Sequence, residues 1–190
     1  MSSFDSKAVF LDRDGTLIED KGYICDFTQV TVFPFSVAAV RLLNDNNFKV
    51  IVITNQSAVA RGICSEQQVQ ELHRSLTIFF SEKGVVIDDF YYCPYHEEGV
   101  IEKFRKKHEC RKPAPGMILQ AAADHGIDLE RSFFIGDNEC DILAGANAGC
   151  RPVLVLTGKG EQVRGELEQK KIEPYLIAPD LLSAVQKIAN

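Results

Sequence analysis

No stretch of this chain approaches the roughly 18 consecutive apolar residues of a membrane-crossing helix, so no membrane span is expected. A basic surplus is also missing. Lys and Arg number 21 against 27 Asp and Glu, a formal net charge of −6. That balance disfavours a protein whose main task is gripping a polyanion, and no nucleic-acid partner is expected. There is no Gly-x-x-x-x-Gly-Lys-[Ser/Thr] loop, so ATP is not implied, and Gly158-Lys159-Gly160 is too short to replace one. Met1-Ser2-Ser3-Phe4-Asp5 has neither the basic start nor the apolar stretch of a secretory signal, and a cytoplasmic location is expected. Internal repeats, low-complexity tracts and linkers are lacking. The 190 residues therefore read as a single domain, with a monomer as the default state. The six cysteines, at 25, 64, 93, 110, 140 and 150, are expected to be reduced, packed or metal-bound rather than disulfide-paired.

What is present is a regular alternation of short apolar runs and helical patterns. Ala8–Leu11 has the character of a strand buried on both faces. Phe35–Asn46 carries apolar residues at 35, 39, 42 and 43, a helical spacing. Lys49–Ile53 reads as a second buried strand. Ser65-Glu66-Gln67-Gln68 is a capping box. It opens a helix with the apolar stripe Val69, Leu72, Leu76, Phe79 and Phe80, closed by Gly84. His73 and His125 fall in helical stretches and read as surface residues. Further strands are expected at Asp89–Tyr92, Ser132–Ile135, Pro152–Leu156 and Tyr175–Ile177. Helices are expected from Pro115 to His125, over Glu139–Ala148 and over Pro179–Ile188. The alternation implies an α/β fold, a central parallel sheet with helices on both faces. In such sheets ligands bind beyond the carboxyl ends of the strands, which gathers Asp12, Thr54 and Asp137 at one edge. The inserts between the motifs are too short for a second domain, so a minimal cap built from loops must gate the site.

The chemistry centres on Asp12-Arg13-Asp14-Gly15-Thr16. Asp-Gly suits a hairpin turn, but Leu17-Ile18-Glu19-Asp20 is a weak return strand. A calcium-binding EF-hand loop needs Gly at its sixth position, where Leu17 stands. Two acids at a strand exit instead suit a Mg²⁺ site with a carboxylate nucleophile. The second acid then serves as proton donor and acceptor. Thr54-Asn55-Gln56-Ser57 is either a polar turn or, by its hydroxyl and N–H groups, a phosphoryl-binding loop. Arg111-Lys112-Pro113 is either a solvated basic turn or the source of a point charge for phosphate. Gly136-Asp137-Asn138-Glu139-Cys140-Asp141 is either a helix cap or part of a metal cage. Arg105-Lys106-Lys107 reads as a solvated face.

In order and spacing these four motifs resemble the signature of the haloacid dehalogenase (HAD) superfamily of phosphotransferases. The resemblance implies a Rossmann-like HAD fold and assigns the catalytic roles to Asp12, Asp14, Thr54 and Lys112. It implies Mg²⁺ held by Asp12, Asp14 and Asp137. An acid at position 14 favours a phosphomonoesterase over the superfamily's cation pumps and phosphonatases. The longer stretches around Asp12, Thr54, Cys93 and Lys112 resemble the D-glycero-D-manno-heptose 1,7-bisphosphate 7-phosphatase family, which acts in lipopolysaccharide core synthesis. Histidinol-phosphate phosphatases share that pattern, and polynucleotide 3′-phosphatases share part of it. A non-catalytic phosphosugar-binding relative is disfavoured by the complete set of acids. The implied partner is a phosphosugar. The implied substrate-binding residues are Arg13, Gly22, Tyr23, Asn55, Gln56, Ser57, Arg111 and Asn138. Such enzymes often carry a structural Zn²⁺ site in the loop corresponding to residues 93–113. Here the candidates are Cys93, His96, His108 and Cys110, two thiolates and two imidazoles. Tyr95 stands where the family has His, and His108 where it has Cys. With or without zinc, this loop is expected to set specificity.

Overall fold

A computed structural model describes residues 6–189. Met1–Asp5, on which the signal-peptide reading rests, lie outside the described residues. The fold is built on a six-stranded sheet in the order β3-β2-β1-β4-β5-β6, parallel throughout. The strands are β1 (Ala8–Leu11), β2 (Lys49–Asn55), β3 (Asp89–Cys93), β4 (Phe133–Gly136), β5 (Arg151–Val155) and β6 (Leu176–Ala178). The helices are α1 (Ser36–Asp45), α2 (Glu66–Glu82), α3 (Gly116–His125), α4 (Glu139–Ala148), α5 (Gly160–Lys170) and α6 (Leu181–Ile188).

β1 lies at the middle of the sheet and is buried throughout, as its four apolar residues require. Its side chains alternate between the two faces. Val9 and Leu11 share one core with Ala39 and Leu43 of α1 and Ala184 and Val185 of α6. Ala8 and Phe10 share the other with Met117, Ile118 and Ala121 of α3 and Ala144 of α4. Burying one side chain such as Phe10 contributes about 1.5–3 kcal/mol, so the two cores together fix this strand firmly. Leu11 pairs with Val52 of β2 and Ile135 of β4. The next residues therefore emerge side by side at the point where strand order reverses, the expected place for a ligand.

The capping box opens α2 as expected: Gln68 N–H donates to Ser65 Oγ (3.1 Å) and Ser65 N–H to Gln68 Oε1 (2.9 Å). Gly126 and Gly149 take left-handed conformations that end α3 and α4. α5 has no counterpart among the expected elements. Val163 and Leu167 are its only buried apolar side chains, and Gly165 sits in its interior, so its apolar stripe is too thin to read.

The expectation of unpaired cysteines is corrected. Cys25 pairs with Cys64 and Cys93 with Cys110, each with Cα atoms 5.6 Å apart. Loops distant in sequence are brought together by the sheet, and only Cys140 and Cys150 are free.

Candidate active site

The loops leaving β1, β2 and β4 enclose, with the loops before α3 and α5, a cavity of about 390 Å³. Asp12, Asp14, Thr54, Lys112 and Asp137 all line it, as do Gly22, Tyr23, Asn55, Gln56, Ser57, Arg111 and Asn138. Residues scattered over more than a hundred positions thus meet at one edge.

Asp12 follows β1, its N–H donating to the Ile135 carbonyl at 2.9 Å. Its Oδ1 accepts from Lys112 Nζ at 2.6 Å. The same ammonium donates to the Ile53 carbonyl (2.9 Å) and pairs with Asp141 Oδ1 (2.7 Å). Asp12, Asp137 and Asp141 form the one group, among the described residues, whose carboxylate oxygens come close enough to share a metal ion, all within 4.8 Å. Asp137 is tightly cradled: Lys159 N–H donates to its Oδ2 at 2.8 Å, and a Cβ on Gly15 or Gly158 would strike that same oxygen. Both glycines also have positive φ, +87° and +55°.

Lys112 offsets only one of these three negative charges. Burial, with neighbouring Asp141 next, pushes the Asp137 carboxyl up to about 7. Burial raises Asp12 well above the usual carboxylate range even though Lys112 opposes the shift. Lys112 is itself held above its ordinary value. Burial lowers it, but the charges of Asp12 and Asp141 outweigh that effect. A cluster left two charges short of neutrality fits a divalent cation.

Asp14, expected in the Mg²⁺ set, lies outside the group of side-chain carboxylates that converge. Its carboxylate turns away from the metal group and is gripped by Arg13, with Nη2 at 2.9 Å from Oδ2 and Nε at 3.2 Å from Oδ1. Gln56 Nε2 donates to the same Oδ2 (3.1 Å) and to Thr54 Oγ1 (2.8 Å). The third carboxylate of the convergent group is Asp141. Its place in the Gly-Asp-x-x-x-Asp motif was the available signal, but its second role obscured it. Asp141 Oδ2 accepts from Asn138 N–H (3.0 Å), closing the capping box of α4. Arg13 is a correction: it is 0% exposed and lies behind the cavity rather than in it. His73, expected at the surface, is buried against Arg13. His125 is partly buried and pairs with Asp89 at 3.1 Å. Asn55 lines the cavity, yet its amide is engaged by the Lys112 backbone. It accepts from Lys112 N–H and donates to the Lys112 carbonyl, both at 3.1 Å.

Comparison with known proteins places this site. A D-glycero-D-manno-heptose-1,7-bisphosphate 7-phosphatase of Thermosynechococcus vestitus is 40% identical over 187 residues, 96% of this chain and 95% of the relative. This chain belongs to the heptose bisphosphate phosphatase family. The Pasteurella multocida relative, named D-glycero-beta-D-manno-heptose-1,7-bisphosphate 7-phosphatase, is 43% identical over 154 residues, 80% of this chain and 83% of that one. The family model for HAD-hydrolase-like proteins matches residues 109–184. The D,D-heptose 1,7-bisphosphate phosphatase of B. bronchiseptica, crystallised with magnesium and phosphate, matches with a TM-score of 0.84. It is 29% identical, covering 96% of this chain and 97% of that one. The heptose bisphosphate phosphatase family is one of phosphoric monoester hydrolases, and this chain is such an enzyme.

Within the family frame, the 93–113 loop departs from the expected zinc set. Cys93 and Cys110 are joined to each other. The His108 ring lies flat on Tyr95, centroids 4.3 Å apart, and its Nδ1 accepts from Cys110 N–H at 3.1 Å. His96 accepts from Glu98 N–H through Nδ1 (3.1 Å) and meets Arg61 Nη2 through Nε2 (3.4 Å). Among the described residues these four do not form a group whose ligand atoms converge on one point.

Proposed function

We propose that this enzyme is a Mg²⁺-dependent phosphomonoesterase that removes the 7-phosphate of D-glycero-D-manno-heptose 1,7-bisphosphate through a phosphorylated Asp12. One observation carries the reading: Asp12 and Asp14 face the same cavity but hold different charge partners, Lys112 for the first and Arg13 for the second. The different partners suit one carboxylate to act as nucleophile and the other as proton carrier. Lys112 fixes the orientation of the Asp12 carboxylate for attack on phosphorus. As the ester bond breaks, Asp14 gives its proton to the departing sugar oxygen. It then takes one from the water that hydrolyses the aspartyl phosphate. Thr54 Oγ1 accepts from Gln56, which leaves its own proton free for a phosphoryl oxygen. Asp12, Asp137 and Asp141 would hold Mg²⁺, which when bound draws charge from the phosphoryl group. The heptose assignment is supported by a relative 40% identical over 96% of this chain.

Phosphate release with Mg²⁺ should be greatest on heptose 1,7-bisphosphate, compared with histidinol phosphate and a 3′-phosphorylated oligonucleotide. Preference for either of the others overturns the substrate assignment. No turnover on any phosphomonoester overturns the reaction.

Metal binding should also depend on pH, with a definite sign. Asp137, at about 7 in the fold, keeps a proton that the unfolded chain releases near 3.8. The metal-free protein therefore loses stability as pH rises through that window. Magnesium must displace this proton. Its dissociation constant should fall about tenfold between pH 6 and pH 8, and the Mg²⁺-induced rise in Tm should be larger at pH 8. Calorimetric titration in two buffers of different ionisation enthalpy measures the released proton. A pH-independent affinity would count against Asp137 as a ligand.

A further inference from the structure

We infer that His73, which touches neither the cavity nor any substrate group, is a positioning residue for Asp14 and acts through Arg13. The inference rests on the reading of Asp14 as proton donor.

Arg13 is the largest fully buried side chain among the described residues. Its guanidinium is planar, so fixing one edge fixes the other. The edge formed by Nε and Nη2 faces Asp14, with contacts of 2.9–3.2 Å, and Nη2 also donates to Gln56 Oε1 at 3.0 Å. Nη1 points the other way and meets His73 Nε2 at 3.1 Å. His73 is thus the fixed point on the far side of the group that aims the proton carrier.

The environment of His73 suits an acceptor and nothing else. The residue lies in α2 among Val69, Leu72, Leu76 and Phe80, a polar atom on an otherwise buried apolar face. Its ring stacks on Phe90 (4.8 Å, 21°) and meets Tyr92 edge-on (5.8 Å, 67°), which fixes its plane. To accept from Arg13, Nε2 must carry a lone pair, so the neutral ring bears its hydrogen on Nδ1. Burial, and then the charge of Arg13, depress its pKa to about 3. The acceptor therefore persists through the whole neutral range. An apolar residue here would complete the stripe equally well. What it could not do is take the Nη1 hydrogen, and the guanidinium would then be free to tilt away from the Asp14 carboxylate.

Leaving-group dependence separates positioning from mere support of the fold. An alkyl phosphate needs its departing oxygen protonated, whereas p-nitrophenyl phosphate releases a weakly basic phenolate and does not. The experiment compares kcat/KM, which reports the first phosphoryl transfer, on heptose 1,7-bisphosphate and on p-nitrophenyl phosphate. The variants are Asp14→Asn, His73→Phe, His73→Asn and His73→Gln. If heptose bisphosphate is not turned over, the best alkyl phosphate from a wider panel takes its place. Asp14→Asn should lose about 10²-fold or more on the alkyl ester and far less on the aryl ester. His73→Phe, which keeps the ring shape, and His73→Asn, whose amide falls short of Nη1, should each lose about tenfold on the alkyl ester. Their loss on the aryl ester should be at most about twofold. His73→Gln, which restores an acceptor at comparable reach, should recover most of the alkyl-to-aryl ratio. Should the Phe variant not fold, the Asn and Gln pair decides. Equal losses on both esters, no loss, or no recovery by Gln would overturn the inference. If Asp14→Asn itself shows no leaving-group dependence, it is the proton-donor reading that fails.

Discussion

Asp12→Asn should lower phosphate release about 10⁴-fold or more while leaving the fold intact. An amide in place of the carboxylate removes the nucleophile, and no other group in the cavity occupies its position at the end of β1. The structural cost is small, because the amide oxygen still accepts from Lys112, which also keeps Asp141 and the Ile53 carbonyl. The substitution even removes one charge from a cluster with more acids than cations. Burial has already driven Asp12 above the usual carboxylate range. The metal-free variant should therefore melt at or above the wild-type temperature near neutral pH. Phosphate release by protein freed of contaminating phosphatase, with mass spectrometry for a phosphorylated chain, gives the first readout. Thermal melting gives the second. Near-wild-type turnover would eliminate Asp12 as the attacking group, and a collapsed fold would show that its charge is structural.

Lys112→Ala should cost both activity and stability. Lys112 is 4% exposed, and its ammonium makes three contacts of 2.6–2.9 Å with Asp12, Asp141 and the Ile53 carbonyl. Removing one partner from a buried ion cluster leaves uncompensated charge, a loss of about 3–5 kcal/mol. Here two acids are stranded by a single substitution. Turnover should fall about 10³-fold, because the charge beside the phosphoryl group is lost and Asp12 is no longer oriented. Magnesium should recover part of the stability, since the same carboxylates would hold it, but not the turnover. Lys112→Arg should fail to rescue either, because the longer planar group does not fit the three short contacts. Denaturant unfolding with and without Mg²⁺, beside steady-state kinetics, tests each part. Stability within about 1 kcal/mol of wild type would mean that water or relaxation replaces the ammonium.

Much of this arrangement could be read from residue order. Four apolar residues leading into two acids can only be a strand with both faces covered, and the structure divides them between two cores. The rule that ligands collect beyond parallel strands gathers Thr54 and Asp137 beside Asp12, and all three line the cavity. What escaped depends on partners that sequence does not place. Arg13 is a substrate-binding group by the family resemblance. Its inward turn becomes intelligible only with an acceptor waiting 60 residues away. His73 looked superficial because a histidine on a helix usually is. Asp141 was hidden by serving two ends at once, a helix cap and a metal cluster. Cys93 and Cys110 are metal ligands only by family resemblance, and in the structure the two thiols are joined to each other.

Asn55 gives the molecule a property of a different kind. It is the last residue of β2, in register with Cys93 of β3, and its side-chain amide grasps both backbone groups of Lys112. One residue therefore anchors the start and the finish of the same excursion, like a buckle through which a strap of any pattern can pass. Between those anchors the loop carries its own cross-link, stacked rings and charges. The sequence between the two anchors can therefore vary while Asn55 still fixes the backbone of the residue that carries the ammonium.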